Sequence, residues 1–129
     1  MTNLNIPGSD TSPEIDGNVQ AGRLVMRGDS YPENACELFA AVTDWVRDFI
    51  AQSAQPLVLE LYLSYLNTSS VKAMMEIFDL LEVAHRTASS VAVTWFYEAR
   101  NELAADVANE FKEDCSFPFL VLPLDQAGS

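Results

Sequence analysis

Three adjacent hydroxyl residues, Thr68, Ser69 and Ser70, follow an apolar, strand-like segment and stand where an amphipathic helix is predicted to begin. The start of a helix has backbone N–H groups without intrahelical partners and carries the positive end of the helix dipole. A phosphate added to one of these hydroxyls would be held there with little rearrangement. The position and the residue types therefore predict a phosphorylation switch, and a regulator in place of a catalyst.

The same segment has a purely structural interpretation, because Asn, Ser and Thr are the residues preferred at helix N-caps. On the residues alone, the cap and the phosphosite both stay open. Two details bear on a phosphate: the helix contains no Asp or Glu before Glu76, and Lys72 follows Thr68 by one helical turn. We hypothesise that Lys72 helps to hold the phosphate, because residues four apart share a helix face.

Residues able to perform nucleophilic or metal chemistry are sparse elsewhere. Cys36 or Ser69 with His85, the only histidine, are the available combinations of nucleophile and base. Ser69 and His85 lie at opposite ends of one predicted helix, more than about 20 Å apart at ~1.5 Å per residue. Cys36 has no nucleophile-elbow signature, and no P-loop, GxGxxG, HExxH or metal-ligand spacing occurs. We expect no catalytic residues, no metal and no cofactor.

Composition restricts the partners. The 129 residues are 49% hydrophobic and 20% charged, which predicts one domain over 1–129 with an extended lead-in over 1–12. A net charge of -12 repels nucleic acid and anionic membranes, so we expect protein partners. No apolar run reaches the ~18 residues of a membrane helix and no signal peptide is evident, so we expect a cytoplasmic location without membrane insertion. Cys36 and Cys115 are expected to be packed or partly buried free thiols.

The elements that position the hydroxyl segment are predicted in the order β-β-α-β-α-β-α-β. Residues 13–28 predict a hairpin around the turn-like residues 16–18. The S-x-x-E capping box at residues 30–33 predicts the start of a helix that ends before Pro56. Residues 57–63, 90–97 and 118–122 predict strands, and 57–63 is expected to be buried on both faces. Helical periodicity predicts a second helix through His85 and a third over 101–113 with Leu103, Val107 and Phe111 on its apolar face.

Strands that alternate with single helices favour right-handed crossovers and a mostly parallel sheet. The predicted fold is therefore an α/β single domain with a mixed, mostly parallel sheet of about five strands. It has an N-terminal β-hairpin and three main helices that cover most of the sheet. This outline resembles the STAS, or anti-sigma-factor-antagonist, fold. In that fold a regulatory Ser or Thr lies at the strand-to-helix turn matched here by residues 67–70.

Three local sequences narrow the resemblance to the SiaC family of regulatory phosphoproteins. In chain order they are Gly28-Asp29-Ser30-Tyr31-Pro32-Glu33-Asn34, then Tyr65-Leu66-Asn67-Thr68-Ser69-Ser70 followed by Lys72, then Glu113-Asp114 leading to Phe117-Pro118-Phe119. Together they span almost the whole chain, and their order and spacing agree with the predicted elements. The sequence is therefore identified as similar to this family.

The resemblance implies a partner-switching regulator. A cognate protein kinase would phosphorylate Thr68, and a PP2C-type phosphatase would remove the phosphate. The unphosphorylated protein would bind and activate a diguanylate cyclase, and so control cyclic di-GMP and biofilm formation or aggregation. Thr68 is the implied acceptor, and the phosphosite-supporting or partner-binding candidates are Asn67, Ser69, Ser70, Lys72, Tyr65 and Tyr31.

Structural interpretations stand beside these assignments. The capping box alone accounts for most of the segment Ser30 to Asn34, and Tyr65 is of a type that usually packs in a core. An alternative function is a STAS-like module that senses a small anionic ligand or nucleotide, because helix starts bind phosphates generally. The lack of a glycine-rich loop beside Thr68 counts against it.

Overall fold

The chain folds as a sheet whose strands follow one another in space in the same order as in sequence. The structure is a computed structural model and describes residues 1–124. Its elements, in chain order, are β1 (Leu4–Ile6), β2 (Glu14–Asn18), β3 (Arg23–Ser30), α1 (Ala35–Gln52), β4 (Leu57–Leu66), α2 (Thr68–Arg86), β5 (Val91–Tyr97), α3 (Glu102–Glu113) and β6 (Phe119–Pro123). Strands β1 to β3 pair antiparallel, and β3 to β6 pair parallel.

The predicted α/β fold, with a mixed sheet, an N-terminal hairpin and three helices, is confirmed. Over the described residues 1–124 the sheet has six strands, not about five, because Leu4–Ile6 adds a strand beside β2. This segment was predicted as part of the extended lead-in over residues 1–12. Three residues are too few to show an alternating pattern, and the strand is secured by distant contacts such as Trp45 Nε1 donating to the Thr2 carbonyl at 3.0 Å.

Within residues 1–124, the helices cover one face of the sheet and leave the other face open. Right-handed crossovers that each advance one strand in the same direction place every helix on the same side. The row of in-register residues that faces the helices is buried and apolar: Leu24, Leu59, Val93 and Phe119. The neighbouring row, on the open face, is half-buried or exposed: Val25, Glu60, Thr94 and Leu120.

The prediction that residues 57–63 are buried on both faces is therefore wrong, as is the prediction that helices cover most of the sheet. On the open face the rings of Tyr62 and Phe96 stack at 4.8 Å, and the Arg27 guanidinium lies over Tyr62 at 4.5 Å. Side-chain stacking thus shields an apolar strand where no helix covers it, which explains why the sequence of β4 looks fully buried.

The hairpin between β2 and β3 turns later than predicted. Residues 16–18 lie inside or at the end of β2, and the turn occupies residues 19–22 with Gly22 at φ +65°. Gly17 does not form a turn but allows close packing, because a Cβ at this position would lie 2.8 Å from the Trp45 ring. The prediction failed because a glycine required for close approach looks like a turn glycine in sequence.

Helix α1 begins five residues after the predicted capping box starts. Asn34 is its N-cap, and the Asn34 side chain accepts a hydrogen bond from the Glu37 backbone N–H at 3.2 Å. Ser30 instead ends β3 and is fully buried, so it caps nothing. The S-x-x-E pattern arose by coincidence, because the register of β3 turns Ser30 toward the core.

The other two helices occupy the predicted segments. In α2 the predicted apolar stripe packs in the core, with Met74, Ile77 and Leu81 fully buried. In α3 the buried positions are Ala104, Ala108 and Phe111, whereas Leu103 is 64% exposed, so the prediction of Leu103 as a core residue is wrong. Within residues 1–124, no helix is both long enough and apolar enough to cross a bilayer.

Candidate functional site

Strand β4 contains a β-bulge near its end, which the sequence analysis did not predict. Gly28 of β3 pairs with Leu63, but the next residue, Asp29, pairs with Tyr65, so Ser64 is an extra residue on β4. Such a bulge breaks the alternation of side chains. Leu63 faces the core, and unbroken alternation would bury Tyr65 as well, yet Tyr65 is 48% exposed. The bulge therefore turns Tyr65 to the surface three residues before Thr68, the first residue of α2.

Asn67 supplies the N-cap of α2. Its side-chain oxygen accepts from the Ser70 backbone N–H at 2.9 Å and from the Ser69 hydroxyl at 3.2 Å. Its amide donates to the Pro32 carbonyl at 3.2 Å, which connects the cap to the segment after β3. Asn67 thus accepts a hydrogen bond from an otherwise unpaired N–H of the first turn of α2 and also fixes this turn to the segment between β3 and α1.

Ser70 belongs to the core beneath this turn. The Ser30 and Ser70 side chains are both fully buried, and their hydroxyl oxygens lie 2.7 Å apart. The Ser70 hydroxyl donates to the Ser30 carbonyl at 3.0 Å, so the proton shared between the two hydroxyls comes from Ser30, since each hydroxyl has one proton. The Asn67 backbone N–H also donates to the Ser30 carbonyl, at 2.9 Å. These bonds attach α2 to the end of β3.

Thr68 is the first residue of α2 and is exposed to solvent. Within residues 1–124 its hydroxyl takes no part in the capping bonds, which run through Asn67, Ser69 and Ser70. The first intrahelical bond starts at the Val71 N–H, which donates to the Asn67 carbonyl. The Ser70 N–H is bonded to the Asn67 side chain, so in the described chain the N–H groups of Thr68 and Ser69 are the ones that point out of the helix start.

The charge around Thr68 favours an added anion. The first turn of α2 contains no acidic residue, whereas Lys72, one turn further along, is exposed. The last turn carries His85 and Arg86, at the far end of the helix. A phosphate on Thr68 would consequently meet the positive end of the dipole and a lysine on the same face, without a neighbouring carboxylate in the first turn.

Two exposed tyrosines lie beside this turn. The rings of Tyr31 and Tyr65 meet edge to face at a centroid separation of 6.1 Å, and the residues are 43% and 48% exposed. The Tyr31 backbone N–H donates to the Thr11 carbonyl at 2.8 Å, which holds the segment after β3 in place. The core-packing interpretation of Tyr65 is therefore wrong.

The structure thus places the sequence-predicted candidates together, at the edge of the sheet where β3 and β4 end. Ser70 is the exception in accessibility, because full burial restricts it to supporting the turn from beneath. Ser30 and Ser64 were missed as contributors. The sequence did contain one signal of the bulge that involves Ser64: Gly28 lies inside a strand, where a glycine often marks a bulge, and its φ is +112°.

The residues considered for nucleophilic chemistry are dispersed. Ser69 lies in the first turn of α2, while His85 lies in its last turn with its ring near Phe117. Cys36 is exposed on α1, which contradicts the prediction of a packed thiol, because the helix turns Ala35 and Phe39 inward instead. Over residues 1–124 no group of three or more His, Cys, Asp or Glu side chains has an arrangement able to hold a metal ion.

Cys115 is half-buried, as predicted. Burial, together with the nearby carboxylates of Glu82, Asp114 and Asp79, raises the pKa of the Cys115 thiol to about 11. A thiol with that pKa is protonated at neutral pH and is a poor nucleophile.

A one-sided α/β sheet with a hydroxyl-rich helix start at its edge is the architecture that the resemblance to small STAS-like regulatory domains led us to expect. The sequence model of the SiaC family regulatory phosphoproteins matches residues 6–124. The chain belongs to the SiaC family of regulatory phosphoproteins.

Relatives from Pseudomonas aeruginosa agree with this membership. An uncharacterized protein of strain UCBPP-PA14 is 56% identical over 126 residues, covering 98% of this chain and 100% of the relative. The crystal structure of apo-SiaC is 56% identical, with a TM-score of 0.91 over 95% of this chain and 99% of that one. A chain in the crystal structure of diguanylate cyclase SiaD in complex with its activator SiaC is 57% identical, with a TM-score of 0.90 over 93% of this chain and 98% of that one.

Proposed function

We propose that this protein is a partner-switching regulator of a diguanylate cyclase, controlled by phosphorylation of Thr68. A cognate protein kinase adds the phosphate and a PP2C-type phosphatase removes it. The unphosphorylated form binds and activates the cyclase, and so raises cyclic di-GMP and promotes biofilm formation or aggregation.

The accessibility of Thr68 carries the proposal. Of the three adjacent hydroxyls, Ser70 is fully buried and Ser69 is half-buried with its hydroxyl donating to Asn67. Thr68 alone among them is exposed and lies outside the capping bonds of the described chain. A kinase active site must surround its acceptor hydroxyl, so Thr68 is the acceptor that can be reached without opening the fold.

Similarity to a relative supports a diguanylate cyclase as the partner. A SiaC from Pseudomonas aeruginosa that is 57% identical over most of the chain is the activator in a complex with the diguanylate cyclase SiaD. A chain this similar in sequence and backbone is expected to bind the same kind of partner. The acidic character of this chain, with a net charge of -12, favours approach by a partner surface carrying basic residues.

A phosphate on Thr68 changes this edge in a defined way. It adds about -1.5 to -2 charges and three strong acceptor oxygens to a surface that holds no acid in the first turn of α2. The outward N–H groups of the helix start and the Lys72 ammonium retain the phosphate over this edge. A partner that packs against the unmodified turn then has to desolvate a charged group, which weakens its binding.

The assignment of the acceptor is tested by treating the purified protein, Thr68→Ala and Ser69→Ala with the kinase, followed by intact mass and peptide mapping. The proposal expects one phosphate on the wild type and on Ser69→Ala, at Thr68, and none on Thr68→Ala. The phosphatase should return the mass to its starting value. A phosphate mapped to Ser69, or a Thr68→Ala variant that is still phosphorylated, contradicts the assignment.

A further inference from the structure

An apolar pocket of about 160 Å³ opens beside the hydroxyl turn, between the end of β4 and the first turns of α3. Tyr65 and Leu66, which immediately precede the cap of α2, form one wall. Leu103 and Val107 of α3 form the other. The complete lining is Leu63, Ser64, Tyr65, Leu66, Trp95, Leu103, Ala104 and Val107. Nearly all of this lining is apolar, as is usual for a pocket that receives an apolar group.

The pocket is fixed by hydrogen bonds on both sides. The Asn101 amide donates to the Ser64 carbonyl at 3.0 Å, and the Asn101 side-chain oxygen accepts from the Ala104 N–H at 3.1 Å. One residue therefore caps α3 and ties it to the bulge of β4. The Trp95 ring forms the floor, and its Nε1 donates to the Leu63 carbonyl at 3.3 Å. A pocket held in this way is formed before a partner arrives.

Its size suits one bulky apolar side chain. A closed apolar cavity of about 150 Å³ admits a benzene ring, so this pocket has room for a phenylalanine or leucine side chain. Leu103 at the rim is 64% exposed and Tyr65 is 48% exposed, which leaves apolar surface in water until something covers it. An anchor of this kind in a central pocket is the usual source of binding energy in a protein interface.

The charges beside the pocket indicate what flanks that anchor. Asp106 and Glu110, three and seven residues after Leu103, lie along the same side of α3 and are exposed. Lys112, the cation in the last turn of α3, lies nine residues after Leu103 and so on the opposite side of the helix. An occupant that carries Lys or Arg beside its apolar anchor would complement this rim.

We propose that this pocket receives an apolar anchor side chain from an amphipathic, basic segment of the diguanylate cyclase. This inference rests on the proposed function and names the surface through which the cyclase would bind. It also accounts for the direction of the switch. A basic segment alone would be attracted by an added phosphate, but an apolar anchor seated between Tyr65, Leu66 and Leu103 covers the adjoining turn and excludes water from Thr68. Phosphorylation then places a dianion under a dry contact, which opposes docking.

The test compares cyclase binding by two aspartate variants with matched exposure. Leu103→Asp places a charge at the rim of the pocket, whereas Val83→Asp places one on α2, where Val83 is 62% exposed and lines no part of this pocket. We expect Leu103→Asp to weaken binding at least about tenfold and Val83→Asp to stay within about twofold of the wild type, measured by calorimetry. Leu103→Ala, which only removes apolar atoms, should weaken binding to an intermediate degree, and thermal unfolding verifies that each variant is folded.

The outcomes separate this inference from the proposed function. If the wild type binds the cyclase in a phosphate-sensitive manner and both Leu103 variants bind equally well, the pocket proposal is overturned and the switch survives. If the wild type itself fails to bind, the proposed function fails, and the pocket proposal fails with it. Equal weakening by Val83→Asp also overturns the pocket proposal. So does a Leu103 variant that changes only self-association in sedimentation experiments, because the occupant would then be a second copy of the chain.

Discussion

The Ser30 hydroxyl donates to the Ser70 hydroxyl across 2.7 Å, within the core, and thereby joins the end of β3 to the first turn of α2. Ser70 in turn donates to the Ser30 carbonyl. The two serines are 40 residues apart in sequence, so the contact fixes the position of the proposed phosphosite relative to a distant part of the chain.

The first prediction concerns the energy of this pair. Removing either hydroxyl leaves a buried polar group without its partner, so Ser30→Ala and Ser70→Ala should each lower the free energy of unfolding by about 1–3 kcal/mol. The double variant should lose less than the sum, by at least about 0.5 kcal/mol. Urea unfolding of the four proteins measures this coupling. Ser69→Ala serves as the control for a half-buried serine in the same turn, and strictly additive losses would contradict the coupling.

The second prediction separates the cap from the proposed acceptor. Asn67→Ala removes the cap of α2 and the bond to Pro32, and should cost about 1–2 kcal/mol of stability. Thr68→Ala should change stability by less than about 0.5 kcal/mol, because the Thr68 side chain is exposed and makes no capping bond in the described chain. Thermal and urea unfolding test both. A loss with Thr68→Ala equal to that with Asn67→Ala would show that Thr68 is a structural cap.

The third prediction concerns the hypothesis that Lys72 holds the phosphate. An ammonium near a phosphate favours its dianion, so in the Thr68-phosphorylated protein Lys72→Ala should raise the second pKa of the phosphate by about half a pH unit. Phosphorus NMR across pH ~5–8 measures that pKa directly, because the second pKa of a phosphorylated side chain is usually about 6. Lys112→Ala, an exposed lysine in the last turn of α3, is the matched control. An unchanged phosphate pKa in Lys72→Ala would exclude the contact.

The fourth prediction concerns the two thiols. The raised pKa of Cys115, about 11, leaves its thiolate scarce at neutral pH, and its half-burial limits access. Cys36 is exposed on α1. Iodoacetamide at pH 7.5 should therefore alkylate Cys36 first in the folded protein, and labelling of Cys115 should rise as the pH is raised toward 11. Peptide mapping at several pH values follows both sites. Equal labelling of the two at pH 7.5 would contradict the environment described for Cys115.

Much of the fold was predictable from local hydrophobic patterns in the sequence. The apolar stripe of α2 is long and regular, so its course and its polar start were predictable from spacing alone. The strands β4, β5 and β6 were recognisable from short apolar segments, and their alternation with helices predicted the parallel half of the sheet.

The remaining features depend on contacts that no local window contains. Ser30 looked like a helix cap because its partner Ser70 is distant in sequence. The bulge at Ser64 exposes Tyr65 against the strand alternation, and it becomes visible only in the pairing of β3 with β4. In α3 the stacked rings of Trp95 and Phe111, 5.8 Å apart, occupy the space beneath the helix. Alanines therefore take the inner positions, and Leu103 is left at the rim of the pocket.

The central claim is that the phosphate on Thr68 decides whether the cyclase binds. The most direct measurement is the affinity of the paired diguanylate cyclase for the purified protein, before and after stoichiometric phosphorylation, with mapping to show that Thr68 carries the phosphate. Thr68→Ala, treated identically, serves as the control that cannot be modified at this position. We predict that phosphorylation weakens binding at least about tenfold, a cost of about 1.4 kcal/mol, while Thr68→Ala keeps its affinity after the same treatment. Equal affinity of the unmodified and the Thr68-phosphorylated protein would contradict the account.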